Sequence, residues 1–337
     1  MDQHSSPEPD PTTRAISGTV YSPLPLVSQS EFRIITLAPG QESDPLGCQL
    51  EVHSVENPPP YEALSYVWGP PHRSIVLRCN GGQILITGVL DRAMRRIRHP
   101  TRHRTLWVDQ ICINQDDLQE RAQQVQIMRR IYAAALTVIS WLGSDEGNLA
   151  PVAKQLLSKM SSCILENTAI RTTHFPTDVQ LGAMGLPLRR STEWEAVGAF
   201  FDNEYFKRLW ILQEVRSASR IAVIWGDTII SWDDVTGAFE CGLACRMMWK
   251  GFDGEVLPSL RLPLTAHPDF RKASQPLKIT ALLNTTRSFG ASDPRDRIFA
   301  LTGLAEEMSQ LEVDYRLTVG EVYAKAAKHI IRLSKDL

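Results

Sequence analysis

The sequence predicts an α/β protein with a mainly parallel sheet flanked by helices, an added β-hairpin and helical insertions. Three observations lead there. The run from 106 to 143, LWVDQICINQDDLQERAQQVQIMRRIYAAALTVISWLG, reads as strand, loop, helix and strand, with its polar residues concentrated in the loop. Short apolar runs at Ala63 to Val67, Thr105 to Val108, Thr137 to Leu142 and Ile221 to Trp225 suit strands buried on both faces. The segment CNGGQ, between Ile75 to Arg78 and Ile84 to Thr87, carries Asn80-Gly81, a hairpin turn signal.

Residues 1–30 are rich in Ser, Pro and Thr, lack periodicity, and are expected to form a flexible N-terminal arm. Phe32 to Leu37 and Gln49 to Val55 read as two strands around a Gly/Pro/Asp-rich turn, and ENPPP then forces an extended approach to Ala63. After the hairpin a basic helix is expected from Val89 to His99. The strand at Thr105 ends at the carboxylate of Asp109, and ligands of open α/β sheets bind beyond the carboxyl ends of strands. Asp116 with Gln119 and Asp117 with Glu120 both fit a capping box, so two helix starts are open. Leu118, Ala122, Val125, Met128 and Tyr132 follow at helical spacing to about Ala134. The free N–H groups at that helix start would face the same crevice as Asp109 and offer a weak anion site. From 143 to 193 the pattern weakens, with a helix at Val152 to Asn167, and this stretch reads as an insertion. Helices are expected at Trp194 to Phe201, Lys207 to Ser217 and Trp232 to Trp249, then a loop over 251–270. Further helices fit Leu277 to Ser288, Arg295 to Leu304 and Val319 to Leu333. One domain over 31–310 and a C-terminal helical segment over 311–337 result.

Composition narrows the function classes. A net charge of −2 over 337 residues gives no global attraction to nucleic acid or anionic membranes. No uninterrupted apolar stretch is long enough for a membrane span, and the N-terminus lacks a signal-peptide pattern, so a soluble cytoplasmic protein is expected. Cysteines at 48, 79, 112, 163, 241 and 245 are too sparse for a disulfide scaffold. His99 and His103 straddle Pro100, and the Cys241/Cys245 pair has no companion pair, so no metal or bound cofactor is expected. Neither phosphate-loop nor dinucleotide glycine fingerprint occurs. The arginines at 92, 95, 96, 98, 102 and 104 form the strongest charge bias, open to an acidic partner or to plain solvation.

Four blocks occur in order over about 240 residues: YEALSYVWG at 61–69, the run at 106–143, RLWILQEV at 208–215 and DPRDRIFALTGL at 293–304. Together they resemble a fungal HET (heterokaryon incompatibility) domain. The resemblance implies programmed cell death after non-self recognition, with self-association and a recognition partner protein. It also implies a TIR-like, flavodoxin-like fold, which supports both assembly and NAD cleavage. Ala63 to Val67, Thr105 to Asp109, Thr137 to Leu142 and Ile221 to Trp225 would then be its first four strands. At 311–337 the chain resembles the point where many HET proteins continue into a variable region.

Trp210 and Glu214 stand at i and i+4, expected on one helix face with Gln213 adjacent. The spacing is similar to that of NAD-cleaving TIR domains, and the likeness assigns the catalytic carboxylate to Glu214, with NAD as substrate. One carboxylate suffices, because nicotinamide leaves a cationic pyridinium as a neutral molecule and needs no acid. Trp68 or Trp210 could stack on a ring, Asp109 could hold ribose, and backbone N–H groups near Asp116 and Arg121 could meet the pyrophosphate. Ser65, Tyr66, Gly69, Asn114 and Arg208 complete the candidate substrate site. Non-catalytic readings stand beside these: a salt bridge from Arg208 to Glu214, loop capping by Asp109 and Asn114, and a buried thiol at Cys112. In the last block, Asp293, Arg295, Asp296 and Arg297 most simply fix a helix start by local ion pairs. Two function classes therefore remain: an NAD-cleaving effector using Glu214, and a non-enzymatic module working by TIR-like self-association.

Overall fold

The computed structural model describes residues 20–166, 176–247 and 278–335. Its strands are β1 (Glu31–Leu37), β2 (Gly47–Ser54), β3 (Glu62–Tyr66), β4 (Arg73–Cys79), β5 (Gly82–Thr87), β6 (Arg104–Trp107), β7 (Thr137–Trp141), β8 (Ile221–Trp225) and β9 (Thr228–Ser231). Among the described residues they form one mixed sheet in the order β5-β4-β2-β1-β6-β3-β7-β8-β9. The centre, β6-β3-β7-β8, is parallel throughout. Residues 63–66 of β3 and 138–141 of β7 are all buried, which explains their nearly unbroken apolar character. Antiparallel strands extend the centre: β1 pairs with β6, β2 with β1 and β9 with β8. The hairpin β4-β5 turns where Asn80 (φ 49) and Gly81 (φ 79) adopt left-handed backbone. Asn80 also exchanges two 2.8 Å hydrogen bonds with the Leu50 backbone, docking the turn on β2.

Helices α1 (Gly88–Ile97), α2 (Asp109–Cys112) and α3 (Leu118–Ala134) accompany the first half of the sheet. Asp117 caps α3 by accepting from Gln119 N and Glu120 N, which settles the choice between the two possible starts. Glu120 does not return the favour as a capping box would. Its carboxylate instead takes both terminal nitrogens of Arg33, at 2.6 and 2.9 Å, and the Asn114 N–H. The second half carries α4 (Ala150–Leu165), α5 (Asp178–Ala183), α6 (Glu193–Phe201), α7 (Ile211–Ser217), α8 (Trp232–Ala244), α9 (Ile279–Thr285), α10 (Asp296–Thr302) and α11 (Val319–Lys335).

Two apolar cores result. One joins β1, β2 and the hairpin to α1, α2 and α3. The other gathers α4, α6, α7, α8 and α10 around Phe200, Phe201, Phe206 and Phe239. In α4, Ala153, Leu156, Leu157 and Met160 are buried in this second core. At the α4–α8 crossing a Cβ on Gly237 would lie 2.2 Å from Ser161 Oγ, so only glycine allows that approach.

Several elements depart from the sequence expectation. Within the supposed flexible arm, Val20 and Tyr21 are buried, and the Tyr21 hydroxyl donates to Ile111 O at 2.7 Å. The helix expected from Lys207 starts at Ile211, because Glu204–Lys207 forms a separate 3-10 turn. Strand β9 is too short, and too close to Gly226-Asp227, to stand out by pattern. Much of the basic run is spent on backbone oxygens: Arg95 donates to Glu42 and Asp44, Arg96 to Gly226 and Asp227, and Arg98 to Gln41, Asp44 and Pro45. Arg104 pairs with Glu62 and donates to Ile97 O. The helix expected to reach Trp249 stops at Ala244, where Cys245 caps it with its N–H on Cys241 O, and the loop expected over 251–270 lies outside the described residues. Among the described residues, no helix is long and apolar enough to cross a membrane, and no cluster of metal-ligating side chains occurs.

Candidate functional site

Two strands of the parallel centre, a 3-10 turn and a helix supply the site. Strand β3 carries Ser65 and Tyr66 and leads into Trp68; β6 leads into Asp109; and the 3-10 turn and α7 bring in Arg208 and Glu214. Glu214 is only 2% exposed, so its charge needs partners. Ser65 Oγ donates to one carboxylate oxygen, and Arg208 Nη2 lies 3.5 Å from the other. The Tyr205 hydroxyl lies 2.8 Å from Ser65 Oγ and 2.7 Å from Ser140 Oγ. Ser65 and Ser140 are register partners on β3 and β7, so both hydroxyls stand on one sheet face.

Asp109 forms the second anionic centre. It accepts from Trp68 Nε1 at 2.7 Å and from Gln110 N at 2.7 Å. Burial pushes its carboxyl up to about 6, against the opposing pull of Arg208 and the Trp68 N–H. Burial likewise works against the charge of Arg208, but Glu214 and Asp109 outweigh it and hold the guanidinium cationic. One arginine thus balances two carboxylates. Arg208 Nη1 is buried without a hydrogen-bond partner, leaving a polar group in this cluster unsatisfied. Burial raises the Tyr66, Tyr132 and Tyr205 hydroxyls above the usual tyrosine range, so all three stay protonated at neutral pH.

A sequence model of the family described as heterokaryon incompatibility protein (HET) matches residues 61–214. This stretch is a HET domain. The chain is also similar to heterokaryon incompatibility protein 6, OR allele, of Neurospora crassa, at 27% identity over 355 residues, covering 90% of this chain and 52% of the relative. It therefore spans about half the length of that relative. No solved structure matches the chain.

The matched stretch runs from Tyr61 to Glu214, so it contains Ser65, Tyr66, Trp68, Asp109, Arg208 and Glu214, all expected at the site and all gathered there. It also contains Ser140, Tyr132 and Tyr205, which sequence reasoning did not single out. Ser140 left a signal, since a hydroxyl inside the apolar run TVISW requires a partner when the strand is buried. Tyr205 left none.

Other expected site residues go elsewhere. Trp210 caps α7 and donates its indole N–H to Asp296 at 3.1 Å, whereas Glu214 turns to Ser65 and Arg208, so their polar groups do not share the expected wall. Gln213 donates to Ala300 O at 2.8 Å, which fixes α7 to α10. Arg121 lies over the Tyr315 ring, 3.8 Å from its centroid, and within 4.0 Å of Asp293 and Asp296. The reason is the segment beyond the matched stretch: Asp296 accepts from Tyr315, and Arg295 holds Asp293 and the carbonyls of Tyr315 and Leu317. Asn114 serves its loop, accepting from Asp116 N, and Gln115 donates to Asp109 O.

The expected anion site at the start of α3 is also filled from within. Asp117 occupies the first N–H groups, and Arg121 N donates to Asp117 O. Gly69 sits at φ +68, and a Cβ there would meet Val89 Cγ2 at 2.6 Å; it shapes the turn after β3.

Proposed function

We propose that this HET domain acts in heterokaryon incompatibility, the process named in its Neurospora relative, as a TIR-like effector that cleaves NAD between nicotinamide and ribose through Glu214. The observation carrying the reading is that Glu214 and Asp109 gather around Arg208 beyond the carboxyl ends of parallel strands. The order β6-β3-β7-β8 supports it, being 2-1-3-4 in chain order, as in flavodoxin-like sheets, whose ligands bind at the point where the order reverses.

In this reaction the glycosidic C–N bond breaks with its electron pair passing to the nicotinamide ring, which leaves neutral. Glu214 then stabilises the oxocarbenium character of the ribose, and water adds to the same carbon. Glu214 must first exchange Arg208 for the ribose hydroxyls. Arg208 can follow the pyrophosphate, since its second terminal nitrogen has no partner to give up. Trp68, half-buried, offers a face for a ring.

A second reading, a non-enzymatic module working by self-association, is favoured by one observation. Glu214 is enclosed, with both oxygens engaged by Ser65 and Arg208. Nicotinamide release from NAD by purified, artificially clustered protein separates the two. Release that is lost in Glu214→Ala and Glu214→Gln supports the enzyme. Folded, clustered protein that releases none rejects it in favour of self-association, which sedimentation then measures.

A further inference from the structure

Two thiols of the first core meet across neighbouring strands. Cys48 on β2 and Cys79 on β4 are register partners of a parallel pairing, so both side chains leave the same face of the sheet. Leu50 and Leu77 are buried on that face beside them, whereas Gln49 and Arg78 alternate to the exposed side. Neighbouring strands lie about 4.8 Å apart, inside the roughly 4.4–6.8 Å that separates the Cα atoms of a disulfide. The Cys48 S–H donates to the Cys79 sulfur, which holds the Cys79 thiol below its usual value although burial works against it. The same bond, and then burial, raise Cys48. Cys79 is 0% exposed and Cys48 8%, so a small oxidant has one side of entry. The pair also sits where the sheet is held least. Strand β2 meets β4 over two register pairs, and β5 beyond it is an edge strand. Local opening there costs less than unfolding the whole chain.

We propose that Cys48 and Cys79 form a reversible redox site: a small peroxide closes the pair to a disulfide, and a thiol reductant reopens it. The Cys79 thiolate attacks one peroxide oxygen, the O–O bond breaks, and the leaving hydroxide takes a proton to become water, with Cys79 now a sulfenic acid. Cys48 gives up its proton and attacks that sulfur. The S–S bond forms as the S–O bond breaks, and a second water leaves, so two thiols and one peroxide give one disulfide and two waters. Other thiols are less suited. Burial pushes Cys112 up to about 12, and Cys241 and Cys245 stand one turn apart along α8 and its cap, their Cβ atoms tilted the same way. The link would close the chain from residue 48 to 79, with β3, Ser65, Tyr66 and Trp68 inside the loop. Oxidation thereby ties the hairpin to β2 and confines the strand that feeds the candidate site, whatever reaction that site performs.

The test exposes the folded full chain to hydrogen peroxide, unfolds it in a thiol-blocking alkylator, and maps the digested peptides by mass spectrometry. The expected result is one linked pair joining Cys48 to Cys79, two hydrogens lighter than its separate peptides, with the other four cysteines alkylated and both thiols recovered after dithiothreitol. Cys48→Ala and Cys79→Ala should each abolish the link. Both thiols still alkylated after an exposure that oxidises free cysteine completely, or a link joining any other pair, overturns the proposal. Should the variants fail to fold, the map of the parent decides alone. The linked protein should also melt roughly 5 °C higher and return with reductant. A linked protein that melts no higher would reject the tying of the hairpin.

Discussion

At the residue scale, Asp109 ties the site to pH. Its carboxyl is raised from 3.8 to about 6 in the folded protein, chiefly by burial. Between those values the folded state holds a proton that the unfolded state has lost, so this residue's contribution to stability is complete below about pH 4 and is lost as pH rises through 6. Asp109→Asn, which still accepts from Trp68, should therefore gain on the parent between pH 4 and 7.5. Because the side chain keeps partial exposure, the gain should be roughly 1–2 kcal/mol. Urea unfolding at both pH values measures it, and a pH-independent difference would refute it. Arg33 is the other charge whose burial sets a magnitude. It is 1% exposed and grips Glu120 with two nitrogens. Arg33→Ala leaves that carboxylate without its cation and should cost about 3–5 kcal/mol. A loss below about 1 kcal/mol in the same titration would mean that the pair is hydrated. No spacing rule links residues 33 and 120, whereas a cap at Asp116 or Asp117 was legible from the neighbouring residues and the structure chose Asp117.

At the element scale, the turn after β3 sets where Trp68 stands relative to Asp109. Gly69→Ala forces a side chain onto a left-handed backbone and against Val89, and should cost roughly 2 kcal/mol. Val89→Ala should relieve the collision but not the backbone term, so thermal unfolding of the double variant should fall between the single variant and the parent. Full recovery would show that only the collision mattered. Helix α7 teaches the complementary lesson. Its composition marked a helix bearing Trp210 and Glu214, yet the preceding 3-10 turn delays its start to Ile211 and leaves Trp210 as the cap. The i, i+4 rule held for the backbone, since Glu214 N donates to Trp210 O at 3.3 Å. The side chains nevertheless diverge, because Asp296 stands ready to accept the indole N–H.

At the scale of the whole molecule, the stretch matched to the HET family depends on chain outside it. Strand β1 covers the β6 edge, and Leu209, Trp210 and Gln213 are held in turn by Gly290, Asp296 and Ala300. A fragment of residues 61–214 should therefore lack the cooperative thermal transition of the full chain, with sharply reduced near-ultraviolet circular dichroism. A fragment melting as sharply as the full chain would show that the flanking segments are dispensable. The sequence by itself determined the α/β class, the four central strands, the hairpin at Asn80-Gly81 and part of the inner cluster, Ser65, Tyr66, Trp68, Asp109, Arg208 and Glu214, because these follow from local periodicity, turn chemistry and short motifs. Only the tertiary structure decided that Glu214 meets Ser65 and Arg208 while Trp210 meets Asp296, that Tyr205 bridges two strands, and that the basic run serves backbone carbonyls. Such pairings depend on strand order and register, which bring together groups up to 149 residues apart, where no local signal reaches.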